Sequence, residues 1–244
     1  MKFDAYQGTL YHSPEDVLTV LEHHLGLELH RMTPKWGYEA AVQGKRGQDN
    51  PVLAMWGSRH TGTWIAAQGY RSQEIADVLR ELMPDHGVSR ADVCEDYTTP
   101  GCWDFIVTTA LSLADELNLA VEHQGDWHRA EKGRTLYLGS RDSTYRICIY
   151  EKGKQLGTNP DWVRVEARLK PQSRDKDRFS IATVQQIAFA VPWGRELWTR
   201  LGSLEPDRVI QIPPRPVENL ESRTLNLVAQ YTRTILDLAE HHQG

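Results

Sequence analysis

Two stretches near the middle of the chain alternate apolar and polar residues with a period of two, and they constrain the fold more than anything else in it. Successive side chains of a β-strand point to opposite faces. In TYRICIYEK, residues 144–152, Tyr145, Ile147 and Ile149 share one face and Arg146, Cys148, Tyr150 and Lys152 the other. In WVRVEARLK, residues 162–170, Val163, Val165, Ala167 and Leu169 oppose Arg164, Glu166, Arg168 and Lys170. A sheet face holding Tyr, Glu, Arg and Lys together suits a polyanion and a nucleophile. A solvated outer face shows the same alternation, and the pattern alone leaves both readings open.

The 244 residues suffice for one large domain or two small ones with a real core. Net charge is −5, so DNA or RNA binding would need basic residues gathered on one face. The eight tryptophans belong mostly to the core, with a minority free to stack on bases. No apolar run reaches the length of a membrane span, and MKFDAYQGTLYHSPED lacks a signal-peptide pattern. The three cysteines (Cys94, Cys102, Cys148) are odd in number and lack metal-site spacing, which points to a reduced, cytoplasmic setting. Phosphate-loop, dinucleotide and Gly-x-Ser-x-Gly motifs are absent, as is any His-hydrophobic-His pair.

Ser13-Pro14-Glu15-Asp16 starts a helix, with serine as N-cap, proline at the first helical position and acids in the first turn. Strand-like stretches follow at 28–31, 36–43, 52–56 and 63–68, then a helix from Ser72 ending at Pro84, and a strand at 88–97. The second half repeats the order: a helix at 103–119 and strands near 120–123, 135–139, 145–152 and 162–170. This order predicts an α+β fold of two helix-plus-antiparallel-sheet units in series. The expected organisation is a catalytic domain over 1–172, duplicated as 1–97 and 98–172, and a helical C-terminal region over 173–244. That region holds helical stretches at 180–191 and 193–201, a break at Pro213, Pro214 and Pro216, and a last helix over 217–242 with the stripe Leu225, Val228, Tyr231, Ile235 and Leu238.

The strand SRADVCEDY, residues 89–97, places Arg90, Asp92, Cys94 and Asp96 on one face. Asp92 and Asp96 lie about 13 Å apart along a regular strand, too far to share one ion without a bend. Asp92 is the better metal ligand; Asp96, at the strand exit, is the weaker candidate. If Asp92 and Glu166 converge beside Tyr150, the set suits metal-assisted attack on a phosphodiester. Mg²⁺ or Mn²⁺ takes one or two carboxylates plus phosphate and water, and offsets charge in the in-line transition state. The Tyr150 phenol, with an ordinary pKa of about 10, needs a neighbouring cation. Lys152 and Arg146 on the same face are candidates.

These segments resemble the Rep-trans rolling-circle replication initiators, relatives of conjugative relaxases and filamentous-phage replication proteins. The shared pattern is carried by Arg90 and Asp92, by Tyr137, Gly139, Arg141 and Ser143, by Ile147, Ile149, Tyr150 and Lys152, and by Arg164, Glu166, Leu169 and Lys170. It covers residues 88–172 well. The resemblance implies an enzyme that nicks one strand of a plasmid or phage origin through Tyr150, becomes joined to the 5′ phosphate and frees a 3′-hydroxyl primer. Catalysis falls to Tyr150, Lys152 and Arg146, metal binding to Asp92, Glu166 and Asp96, and DNA contact to Arg90, Arg141, Arg164, Arg168 and Lys170. The implied partners are origin DNA, single-stranded at the nick, with a host helicase or polymerase and a second copy of the chain as further candidates. The competing readings are a non-catalytic DNA-binding relative and a domain whose polar sheet face is merely solvated.

Overall fold

The computed structural model describes residues 1–212 together with 224, 228, 231, 232 and 241. Met1–Gln211 form one compact unit and Ile212–Gly244 a second, so the first extends past the boundary expected at residue 172. In the second unit Thr224, Val228, Tyr231, Thr232 and His241 are helical and exposed. The other residues of the expected last helix, and the proline break, lie outside the described residues.

The large unit opens with β1 (Lys2–Leu10), α1 (Pro14–His23), β2 (Glu28–Met32), β3 (Ala40–Arg46), β4 (Asp49–Trp56), β5 (Thr63–Gln68) and α2 (Ser72–Leu82). It continues with β6 (His86–Tyr97), α3 (Cys102–Leu117), β7 (Val121–Gly125), β8 (Arg134–Leu138), β9 (Tyr145–Tyr150), α4 (Lys152–Leu156) and β10 (Val163–Leu169). Two further helices, α5 (Val184–Ala188) and α6 (Pro192–Arg200), complete it. The Ser13 hydroxyl caps α1, accepting from the Asp16 backbone N–H at 3.1 Å, as the Ser-Pro-Glu-Asp run requires.

All strands join one ten-stranded sheet in the order β2-β3-β4-β5-β1-β6-β10-β9-β8-β7. Every pairing is antiparallel. The order reads the same from either edge when β6 is matched to β1 and β7–β10 to β2–β5. The α+β class and the two units in series are therefore present, but β6 opens the second unit instead of closing the first.

β1 has no counterpart in the sequence reading. Its register shifts between Phe3 and Ala5 and again between Gln7 and Gly8, so the period of two is broken. The first bulge is fastened by α2: the Ser72 hydroxyl donates to the Asp4 carbonyl at 3.0 Å, and Gln73 Oε1 accepts from the Phe3 N–H at 2.9 Å.

Helices cover the apolar sheet face. Arg80 of α2 lies over the Phe3 ring at 4.9 Å, and Trp198 of α6 donates to the Tyr145 hydroxyl at 3.2 Å. That hydroxyl in turn donates to the Ala188 carbonyl in α5. Beneath them Ala91, Val93, Ile147, Ile149, Val165 and Ala167 are buried. The opposite face collects the charged residues. Across the β6–β10–β9 strip, Asp92 pairs with Arg168, Asp96 with Arg164, Arg164 with Tyr150 and Glu166 with Cys148. Among the described residues no helix is long and apolar enough to cross a membrane.

Candidate active site

A charged sheet face is cheap to leave in water, yet this one is closed off. Asp92 is 2% exposed, Glu166 3% and Arg164 5%. Such burial demands partners, and each acid has one. Arg90 Nε lies 2.9 Å from both carboxylate oxygens of Asp92, and Arg168 Nε lies 2.7 Å from Glu166 Oε1. The Glu166 carboxyl sits above its usual range because burial disfavours its charge; Arg168 opposes that rise and the adjacent Asp92 carboxylate adds to it. The two acids therefore converge. Among the described residues, no group of three acid, histidine or cysteine side chains gathers to hold a metal ion.

Tyr150 ends β9 and faces the same space. Burial pushes its phenol well above the ordinary tyrosine value; Glu166 and Asp4 push the same way and Arg164 opposes them. Lys152 is not on the strand face, as the sequence reading placed it. The strand ends at Tyr150 because the chain folds into α4, and the Lys152 ammonium sits 5.6 Å from the Tyr150 ring centroid while donating to Gln155 Oε1 at 3.2 Å. Arg146 is a second correction. Four residues back along β9, it is about 13 Å from Tyr150, lies 3.9 Å over the Tyr137 ring and pairs with Glu122. Tyr145, fully in the core, is no substitute nucleophile.

Asp96 and Arg164 also depart from their expected roles. Arg164 Nε and Nη2 bind Asp96 Oδ1 and Oδ2 at 2.7 and 2.8 Å, while Nη1 reaches Asp4 Oδ1 at 2.6 Å. Trp162 donates to Asp96 at 2.8 Å and Lys2 lies 3.4 Å away. Asp96 thus belongs to a separate ion cluster, and a buried guanidinium with both ends occupied has nothing left for phosphate. Of the other expected DNA contacts, Arg90 and Arg168 border the carboxylate pair; Arg141 is 73% exposed on its side chain but paired to Glu122 at 2.9 Å, and Lys170 is exposed just past β10.

Asp92, Glu166, Tyr150, Lys152 and Arg168 line one cavity of ≈ 370 Å³. Asp4, Gln68, Thr135 and Gln155 line it too, and sequence reasoning missed all four. Asp4 was hidden by the bulge that aims it, and Gln68 belongs to the other unit. The Cys148 thiol beneath the cavity is pushed up to about 12 by burial, so it is a packing residue.

Residues 112–180, which hold Tyr150 and Glu166 but not Asp92, match the family model Rep_trans, described as replication initiation factor. The resemblance to Rep-trans initiators holds. A rolling circle replication initiator protein from Geobacillus stearothermophilus has a similar structure, with a TM-score of 0.57 and 19% identity over 76% of this chain and 81% of that one. At that identity the likeness shows the fold: a Rep-trans fold of sheet and helices. No curated protein matches the chain.

Proposed function

We propose that the chain initiates rolling-circle replication by cutting one strand of origin DNA at Tyr150. The observation that carries this is the convergence of a phenol and two buried carboxylates on one cavity of the sheet. Tyr150 Oη attacks the phosphorus, the P–O3′ bond breaks, and a 5′-phosphotyrosine and a 3′ hydroxyl result. The phenolic proton passes to solvent, and the departing 3′ oxygen takes one up.

The site as it stands opposes that step. The phenol is held protonated by burial and by the negative charge of Glu166 and Asp4. Asp92 and Glu166 fit a divalent cation such as Mg²⁺ or Mn²⁺, since two crowded carboxylates with one pKa raised form a hard-oxygen donor pair in want of positive charge. When bound there, the ion would supply Lewis-acid stabilisation of the phosphoryl oxygens. Lys152 stabilises the phenolate, and Arg90 and Arg168, on the cavity wall, meet the phosphate. Arg141 and Lys170 are placed for flanking phosphates.

The test is incubation with a labelled single-stranded oligonucleotide library and Mn²⁺, followed by denaturing electrophoresis. A protein–DNA adduct that disappears in Tyr150→Phe supports the proposal. Binding without any adduct would favour the non-catalytic relative, the reading that the raised phenol pKa favours.

A further inference from the structure

The palindromic sheet gives the charged cavity a counterpart in the first unit, and that counterpart is built differently. A second cavity of ≈ 250 Å³ lies over β3, β4, β5 and β1, and no residue lining it is charged. Its walls are amides and tryptophans, chiefly Gln7, Gln43, Asn50, Gln68, Trp36 and Trp64. Gln7 pairs with Ala66 on one side and with Arg90 on the other, so this cavity opens on the same sheet face as Asp92. Gln68 lines both cavities.

We propose that this cavity binds unpaired bases of the single strand running from the cut. The ligand assignment rests on the nicking reading above. The tryptophans form a corner: the Trp36 and Trp64 rings are 5.6 Å apart at 88°, a wall and a floor for a flat ring. Trp36 is 68% exposed and held in the left-handed region at φ 54°, its carbonyl accepting from His60 Nε2 at 3.2 Å. His60 stacks on Tyr38 at 4.0 Å, which braces the loop. The amides of Gln7, Asn50 and Gln68 have no side-chain partner among the described residues, so their donors and acceptors are available to base edges.

Charge separates the two cavities by role. Arginines and Lys152 suit phosphate, whereas an uncharged aromatic corner suits the base, which stacks on any π face. From β5 to β9, the strand that carries Tyr150, is four strand spacings, about 19 Å, and from β3 to β9 six, about 29 Å. At a stacked rise of ~3.4 Å per nucleotide, the occupied bases lie about six to eight nucleotides from the scissile phosphate.

The experiment compares a labelled thymidine homopolymer of about 20 nucleotides with an abasic deoxyribose-phosphate polymer of equal length, by fluorescence anisotropy at several salt concentrations. Wild type should prefer the thymidine polymer. Trp36→Ala, an exposed position that leaves the core alone, should weaken thymidine binding about 5- to 150-fold and leave abasic binding and the salt slope unchanged. Trp64→Ala should do the same, and Phe105→Ala, an exposed aromatic on α3, should do neither. Equal wild-type affinity for both polymers, or equal loss on both in Trp36→Ala, overturns the inference. Adduct formation at Tyr150 is scored separately: an adduct without base preference leaves nicking standing and removes this site, and base preference without an adduct does the reverse.

Discussion

Burial and neighbouring carboxylates raise the pKa of both the Tyr150 phenol and the Glu166 carboxyl, against the charged forms that the proposed strand cutting would use. Tyr150→Phe keeps the ring and removes one oxygen, so thermal unfolding should be little changed while nicking and adduct formation vanish. Glu166 supplies a pH signature. Its pKa in the folded protein is raised, so its contribution to stability is full below the unfolded value of about 4.3 and is lost as pH rises through the raised value. Relative to wild type without metal, Glu166→Gln should therefore become progressively more stable between pH 4 and neutrality, as read by urea denaturation at each pH. Mn²⁺ should reverse the difference by stabilising wild type alone, increasingly as pH rises, and cutting by Glu166→Gln should fall by orders of magnitude. Full activity of Glu166→Gln at low Mg²⁺ would remove Glu166 from the ligand set.

At the scale of elements, the site depends on where β9 stops. A Cβ on Gly153 would meet the Asn159 carbonyl oxygen at 1.5 Å, so the α4 turn that carries Lys152 beside Tyr150 closes only around glycine. Gly153→Ala should slow adduct formation at least tenfold while the far-UV circular dichroism is retained. Arg164 has the opposite character. Arg164→Ala strands Asp96 and Asp4, and should cost about 3 kcal/mol in denaturant unfolding, as for breaking a buried ion pair, without altering the salt dependence of DNA binding. The alternation in β9 and β10 made the faces, and with them Tyr150, Asp92 and Glu166, legible in advance. Three things were not. β1 conceals its period behind two bulges, the end of β9 is set by packing against residues 159–162, and the pairing of Arg164 with Asp4 joins residues 160 positions apart in the chain. Alternation reports which face a residue is on and carries no information about which neighbour will neutralise it.

At the scale of the molecule, the arginines proposed to meet DNA are already matched by acids. Arg90, Arg141 and Arg168 each pair with a carboxylate, in a chain of net charge −5. Two or three phosphates neutralised at about −0.7 each give a log–log salt slope of roughly −1.4 to −2.1 on single strands. A slope steeper than about −3 would mean that the internal pairs open on binding. The central position of β6 has a further consequence, for a chain still being made. β1 and β5 can pair early, but β6 waits about 66 residues for β10, or roughly 3 to 13 seconds of synthesis at ~5–20 residues per second. During that interval its outer edge is an open template for the wrong neighbour. Arg90, Asp92 and Asp96 stand along it, and charges on an open edge discourage pairing with another nascent chain. The acid proposed to hold a metal in the folded chain would thus also guard the unfinished one, and Asp92→Asn should lower soluble yield on the ribosome as well as the proposed activity in the tube.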